Sequence, residues 1–218
     1  MSQVLAISLG LVTIIDHQGK RVETGIFKTP LDGGARVGLQ GFDGDVQVDR
    51  KNHGGPDKAV YVYTRENALH WAEQKGVPEY PPGHFGENLT VTGLPDDNVH
   101  IGDILAIGET LMQVTQPRVP CFKLGIKFGD PGFVGEFLMS SRTGFYLRIL
   151  REGWIHPGDS IQRMSEHPAR ISVADAMRAL IRAPEQHDWM RKVIAIDALS
   201  AAWRQDIGRR LESKNPST

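Results

Sequence analysis

Cysteine is almost missing from this 218-residue chain: Cys121 stands alone, so no disulfide can close within it. That removes the commonest structural job of a cysteine. It leaves a buried small hydrophobe, a reactive thiolate or a soft metal ligand. A lone cysteine also cannot hold an iron–sulfur cluster, which takes about four thiolates. An excess of one charge is missing as well. The net charge is -1, so nothing global recruits a nucleic-acid polymer or an anionic membrane, although local basic clusters remain open. Long apolar runs are absent. The longest, Val4 to Ile15, is broken by Ser8, Gly10 and Thr13 and falls far short of the ~20 residues of a membrane span. No cationic segment leads into an apolar run and a small-residue cleavage site, so no secretory signal is expected. With one cysteine, the expected compartment is reducing, most simply the cytoplasm. The histidines are scattered without zinc-ligand spacing, so no zinc site is expected. There is no Gly-x-Ser-x-Gly elbow and no Walker loop.

Glycine and proline, by contrast, are plentiful, and they punctuate short β-rich segments. Val4 to Ile15 and Arg21 to Phe27 read as strands on either side of a turn at His17 to Lys20. Val37 to Val48 reads as a strand pair joined near Gly41 to Gly44. Ala59 to Tyr63 and Leu89 to Thr92 are further strands, and Asp103 to Ile107 with Thr110 to Thr115 forms a hairpin. Thr64 caps a helix over Arg65 to Lys75 that Gly76 ends, with Ala68, Leu69 and Ala72 as its apolar side and Trp71 at its edge. Cys121 to Phe128 is a short helix closed by Gly129, with Phe122, Ile126 and Leu124 as its inward-facing candidates. Asp130 and Pro131 start another that runs to about Ser141. Gly144 to Arg151 and Ile161 to Met164 return to strand.

Near Ser165 to Ala169 the character changes. Ser172-Val173-Ala174-Asp175 has the form of a capping box, and helical periodicity follows in three segments. One apolar stripe runs from Trp189 through Val193, Ile196, Leu199, Trp203 and Ile207 to Leu211. The expected fold class is α+β, mainly β: a barrel or sandwich of short strands over residues 1–166, followed by a small three-helix bundle over 167–218.

Three features carry chemistry. The loop Asn52-His53-Gly54-Gly55-Pro56-Asp57-Lys58 offers glycine backbone, an imidazole and an amine, the parts of an anion cradle; as a solvated turn it would need the same glycines. Arg118 and Lys123 flank Cys121, and cations favour a thiolate. An arginine also binds phosphate through a planar fork. Glu87-Asn88 ends a loop just before a strand, where an Asn either bonds a heterocycle or caps the turn. No general base neighbours Cys121, so a cysteine hydrolase has little support.

Four stretches in order give this set a resemblance: Thr24-Gly-Ile-Phe-Lys-Thr-Pro30, Lys51-Asn-His-Gly-Gly-Pro-Asp-Lys-Ala-Val-Tyr61, Phe85-Gly-Glu-Asn-Leu89 and Arg118-Val-Pro-Cys121. Together they resemble the MOSC domain, the C-terminal domain of molybdenum-cofactor sulfurases, in its YiiM-like branch with a three-helix extension. The resemblance implies a β-barrel with peripheral helices that binds the molybdenum cofactor, molybdopterin. It implies Cys121 as catalytic residue and as the thiolate on molybdenum. It places Asn52, His53, Gly54, Gly55, Lys58, Glu87, Asn88 and Arg118 on the phosphate and pterin, with Lys28, Thr29 and Arg36 lining the same pocket. The implied activity is an oxidoreductase that reduces N-hydroxylated small molecules such as hydroxylaminopurines. Its electrons would come from a separate flavin-type or ferredoxin-type reductase. At the family level pyridoxal phosphate binding is a further association. Two other readings use the same residues: a sulfur carrier with a Cys121 persulfide, and a non-catalytic module that binds a pterin or phosphate. The extra helices offer a surface for a homodimer.

Overall fold

The computed structural model describes residues 1–49, 54–181 and 187–212. Its strands are β1 (Gln3–Gly10), β2 (Thr13–His17), β3 (Lys20–Thr24), β4 (Lys28–Pro30), β5 (Ala35–Gly38), β6 (Gly41–Phe42), β7 (Val60–Thr64), β8 (Leu89–Thr92), β9 (Ile104–Ile107), β10 (Thr110–Pro117), β11 (Phe145–Arg151), β12 (Gly153–Ile155) and β13 (Ile161–Ser165). The helices are α1 (Arg65–Lys75), α2 (Phe122–Phe128), α3 (Phe133–Ser140), α4 (Val173–Ile181), α5 (His187–Ile194) and α6 (Ala201–Glu212).

Eight strands form one sheet in the order β13-β9-β10-β11-β7-β8-β1-β4, antiparallel except for β7 beside β8. The expected α+β class stands, but the barrel does not: the sheet is not closed. Near its two ends Gln3 of β1 bridges to Ser160, and three backbone hydrogen bonds flank the bridge: Val4 N to Asp159 O at 2.9 Å, Gly158 N to Val4 O at 2.8 Å and Ile161 N to Ser2 O at 2.9 Å.

The long apolar run splits at Leu11-Val12 into β1 and β2, and only β2 pairs with β3. Gln18 and Gly19 both have positive φ, 54° and 74°, as a two-residue hairpin turn requires. Helix α1 keeps its expected bounds. Thr64 Oγ1 accepts from Asn67 N at 3.2 Å, and Gly76 leaves it in the left-handed conformation at φ 66°. Its buried face is Asn67, Ala68, Trp71 and Ala72, however, while Leu69 is exposed; the wide indole takes the place that the aliphatic residue was expected to fill. In α2 the inward residues are Leu124 and Gly125, and Phe122 is exposed, stacking on His17 at 4.3 Å. Two short strands, β4 and β12, had no sequence signal because pairing alone defines them.

Two cores result. The larger runs from the inner face of the sheet (Val4, Val62, Leu105, Leu147) into the helical extension (Met177, Val193, Leu199, Trp203, Ile207) without a break. Trp189, expected in that stripe, is exposed and lies under the Lys192 amine instead. The smaller core is aromatic and sits between α1, α3 and the other face of the sheet: Tyr61, Tyr63, Trp71, Phe85, Phe133, Phe137 and Tyr146. Each such side chain contributes about 1.5–3 kcal/mol by leaving water. This aromatic cluster is the floor on which the site stands. Among the described residues no helix is long and apolar enough to cross a membrane.

Candidate functional site

At the end of β10 the chain turns out of the sheet, and Arg118 N donates to Gly144 O at 3.0 Å. The Arg118 side chain is 4% exposed and lies over the rings of Tyr61 (5.1 Å) and Phe137 (5.4 Å). Ring faces attract a guanidinium, but they accept no linear hydrogen bond from all five of its donors. Nη1 has no hydrogen-bond partner among the described residues. A buried, charged donor left unmatched costs more than the ~1–3 kcal/mol of a neutral one. Burial by itself would lower the Arg118 pKa; the Tyr61, Tyr146 and Cys121 groups around it more than offset this and hold it above its ordinary value. The cation is therefore permanent.

Three residues on, Cys121 occupies the N-cap of α2 in extended backbone, φ -129° and ψ 174°. Its side chain makes no capping hydrogen bond, and the residue is half-buried, so it is not the inert core cysteine that composition alone allowed. Arg118 and Cys121 line one cavity together with Lys28, Asp45, Lys58, Tyr61, Gly86, Asn88, Lys123 and Tyr146. Elements far apart in sequence thus meet here: β4, the turn before β7, β7 itself, the loop into β8, and the β10–α2 junction.

The cations in this cavity are not equivalent. Lys28 is buried against Asp45 in an ion pair. Burial lowers its pKa even though Asp45 works to raise it. Asp45 also accepts from Asn88 Nδ2 at 2.9 Å and from Gly10 N at 2.8 Å. Lys58 closes the 3-10 turn Pro56–Lys58 and is 8% exposed. Its pKa is lowered by burial, against Asp206, Asp49 and Asp57, which favour the charged form. Lys123 Nζ reaches Glu23 O at 3.0 Å.

Of the residues that the sequence pointed to, Lys28, Lys58, Asn88, Arg118 and Cys121 come together in the cavity. Asn88 does so with its amide already engaged: Oδ1 accepts from Tyr61 N at 3.1 Å while Nδ2 donates to Asp45. Glu87 turns the other way. Its buried carboxylate accepts from Gly83 N (2.6 Å), Phe85 N (3.0 Å) and Thr90 Oγ1 (2.8 Å), and it shapes the loop rather than lining the cavity. Burial raises its pKa. Gly55 has φ 87°, and its N–H is held by Gln47 Oε1 at 2.9 Å; neither Gly54 nor Gly55 lines the cavity. Arg36 is at the surface, paired with Glu152 at 2.8 Å and Asp43 at 3.4 Å, and Thr29 is exposed on the edge strand β4. The structure does not bring these two to the cavity. Asn52 and His53 lie outside the described residues.

Sequence reasoning missed Tyr61, Tyr146 and Asp45. The two tyrosines face each other across the β7–β11 pairing and read as ordinary core positions. Asp45 sits in a glycine-rich stretch that signals only turns. A fourth residue, Asp57, ties the glycine loop down. Its carboxylate binds Arg148 (2.7 Å) and accepts from Ala201 N (3.0 Å) at the start of α6.

Comparison with known proteins fits this arrangement. The model of the MOSC domain matches residues 49–162. An uncharacterized protein, YflK of Bacillus subtilis (strain 168), is 38% identical over 213 residues, 98% of this chain and 96% of its own length. A protein of Gibberella moniliformis named "Reductase" is 34% identical over 165 residues, 74% of this chain and 29% of that protein. The crystal structure of YiiM from Geobacillus stearothermophilus superposes with a TM-score of 0.82 at 33% identity, covering 97% of this chain and 100% of that one.

Proposed function

This chain belongs to the MOSC domain family, and from that premise we propose that it is a molybdenum-cofactor-dependent oxidoreductase reducing N-hydroxylated compounds. A separate flavin-type or ferredoxin-type reductase would supply the electrons. Support for an oxidoreductase comes from the fungal relative's name and from the chemistry of the cavity. The observation that carries the reading is the buried Nη1 of Arg118, a charged donor without a hydrogen-bond partner among the described residues, in the same cavity as the one cysteine. A cofactor that ends in a phosphate and carries a thiophilic metal matches both.

The fit can be argued residue by residue. The Arg118 guanidinium, with the Lys58 and Lys28 amines, would hold the phosphate. Cys121 Sγ would be the protein ligand of the metal, since thiolates are soft donors. The cavity measures about 90 Å³, well below the ~300 Å³ at which small-molecule sites begin; it suits the anionic end of such a group, and the remainder has to lie outside it. When bound, the cofactor supplies the two-electron redox chemistry that no side chain here can supply.

The chain's own residues then bind, orient and control protons. In the overall reaction an N–OH group takes up two electrons and two protons to give N–H and water. Burial raises the pKa of Tyr146 above its ordinary value, against Arg118, which lowers it, so its Oη keeps a proton through neutral pH. In the same cavity as Cys121, that hydroxyl would donate a hydrogen bond to the leaving oxygen. The aromatic floor keeps water from the underside of Arg118.

The test is production in a host that makes molybdopterin, followed by metal analysis and anaerobic reduction of a hydroxylaminopurine with an artificial donor. Stoichiometric molybdenum and N–O reduction are expected, with both lost in Cys121→Ala. A persulfide mass adduct on Cys121 without metal would replace this reading with the sulfur carrier. Ligand affinity unchanged in Cys121→Ser, without reduction by either protein, would replace it with a binding module.

A further inference from the structure

Helix α6 belongs to the extension, yet its first N–H ends on the turn that carries Lys58. Ala201 N donates to Asp57 Oδ2 at 3.0 Å. The other oxygen of that carboxylate takes the fork of Arg148 on β11, Nε at 2.9 Å and Nη2 at 2.7 Å. The Asp57 carbonyl accepts from Thr115 Oγ1 of β10 at 2.6 Å. One residue of the turn thus takes donors from three other elements.

The helix end of this link is fixed. Ser200, just before α6, donates its N–H to Thr115 O at 3.2 Å and its hydroxyl to Gln116 Oε1 at 2.6 Å. The same hydroxyl oxygen accepts from Trp203 N at 3.1 Å, and Trp203 and Ile207 hold the helix in the continuous core. Within the turn Lys58 N donates to Gly55 O at 2.9 Å. The main chain on both sides of the Asp57–Lys58 peptide is therefore held, and with it the direction in which the Lys58 side chain leaves for the cavity it lines. A lysine carries its charge on a flexible four-carbon stem, so its starting point decides where the ammonium can go. A carboxylate at a helix N-terminus would serve stability alone; the place of Lys58 one residue on gives this one a second task. Helix α6 also reaches Lys58 through charge. Burial lowers the Lys58 pKa, and Asp206 of α6 is first among the carboxylates that oppose this.

On the reading of the cavity as an anion site given above, which this deepens, we infer that Asp57 is a positioning residue. Clamped by the first N–H of α6, it aims the Lys58 amine into the cavity beside Arg118. The helical extension thereby sets the affinity of the cavity without touching the anion.

The test is calorimetry of the full chain with inorganic phosphate. Proline is accepted at the first position of a helix, where its missing N–H breaks no helical bond, so Ala201→Pro deletes the bond to Asp57 and leaves α6 intact. It should weaken phosphate binding about threefold, and Asp57→Ala about tenfold, the range that one to two hydrogen bonds command, with the Ala201→Pro melting temperature within about 3 °C of wild type. In a Lys58→Met background Ala201→Pro should have no further effect, because the link acts through the amine that has been removed; a purely structural role would make the two losses add. Coupling is reciprocal, so saturating phosphate should also slow hydrogen exchange of the Ala201 amide in the wild type, a measurement that needs no variant to fold. Phosphate affinity of Ala201→Pro equal to wild type would overturn the inference, as would additive losses with Lys58→Met or an Ala201 amide whose exchange ignores phosphate. Wild-type protein that binds no phosphate at all would bring down the anion-site reading itself, and this inference with it.

Discussion

Arg118 is the residue where sequence and structure say the most together. Its motif marks it, but only its burial, with one nitrogen unmatched among the described residues, gives the physical ground for proposing an anion there. Arg118→Met should cost at least about tenfold in affinity for inorganic phosphate, the worth of one charge-assisted hydrogen bond, measured by calorimetry. It should not lower the melting temperature, because replacing an uncompensated buried charge by an apolar side chain of similar reach is often neutral or stabilising. A large drop in melting temperature with phosphate affinity intact would make the arginine structural. Asp96 is a second informative residue. It is 4% exposed, accepts from Asn67 Nδ2 at 2.7 Å, and is pushed up to about 7 by burial, against that hydrogen bond. An acid whose folded pKa is raised binds its proton more tightly when folded. Stability from this group is therefore fully present below its unfolded value near 4 and is lost as pH rises to about 7. The loss is on the order of 1.4 kcal/mol per pH unit across that window. Melting curves between pH 5 and pH 8 should show a decline that Asp96→Asn flattens; an unchanged slope would exclude Asp96 as its source. Neither property could be read from the sequence, since both arise from what surrounds the residue.

At the scale of elements, the junctions matter more than the elements themselves. Gly144 precedes β11 with φ 67°, and a Cβ there would stand 2.3 Å from Val62 O. Its carbonyl also holds Arg118 N. Gly144→Ala should therefore destabilise the fold by more than about 2 kcal/mol through strain and collision, which is a fall of roughly 4 °C or more in a chain of this size. It should also weaken phosphate binding by displacing Arg118. A melting temperature within a degree of wild type would show that the strand pair can absorb the methyl group. Elements with strong local signals were legible: α1 with its Thr64 cap and Gly76 stop, the β9–β10 hairpin, and the Ser172 capping box, whose Oγ accepts from Asp175 N at 3.0 Å. Helix α6 starts at Ala201 rather than at Asp197, because Asp197 Oδ1 bonds Ala198 N in a turn and Ser200 makes the cap. Local chemistry offers both aspartate and serine as caps, and packing of Trp203 selects between them.

Across the whole molecule, the sheet and the helical extension share one continuous apolar core. Trp203 is 3% exposed within it. Trp203→Ala should cost about 3–5 kcal/mol and lower a single melting transition followed by both near-UV and far-UV circular dichroism. Two separate transitions, only one of them shifted, would show that the extension melts independently. The extension also bears on the site through Asp57, whose carboxylate accepts from Ala201 N at the start of α6.

The sequence by itself determined the α+β class, the uncommitted thiol, the cation next to it and the family, because these rest on local propensities and on residue identities at fixed spacings. Only the tertiary structure decided that the sheet stays open and that Arg36, Thr29 and Glu87 stand apart from the cavity. The same holds for Tyr61, Tyr146 and Asp45, which enter it. Those outcomes depend on strand register and on which side chains lose water, and both are fixed by contacts between residues tens of positions apart.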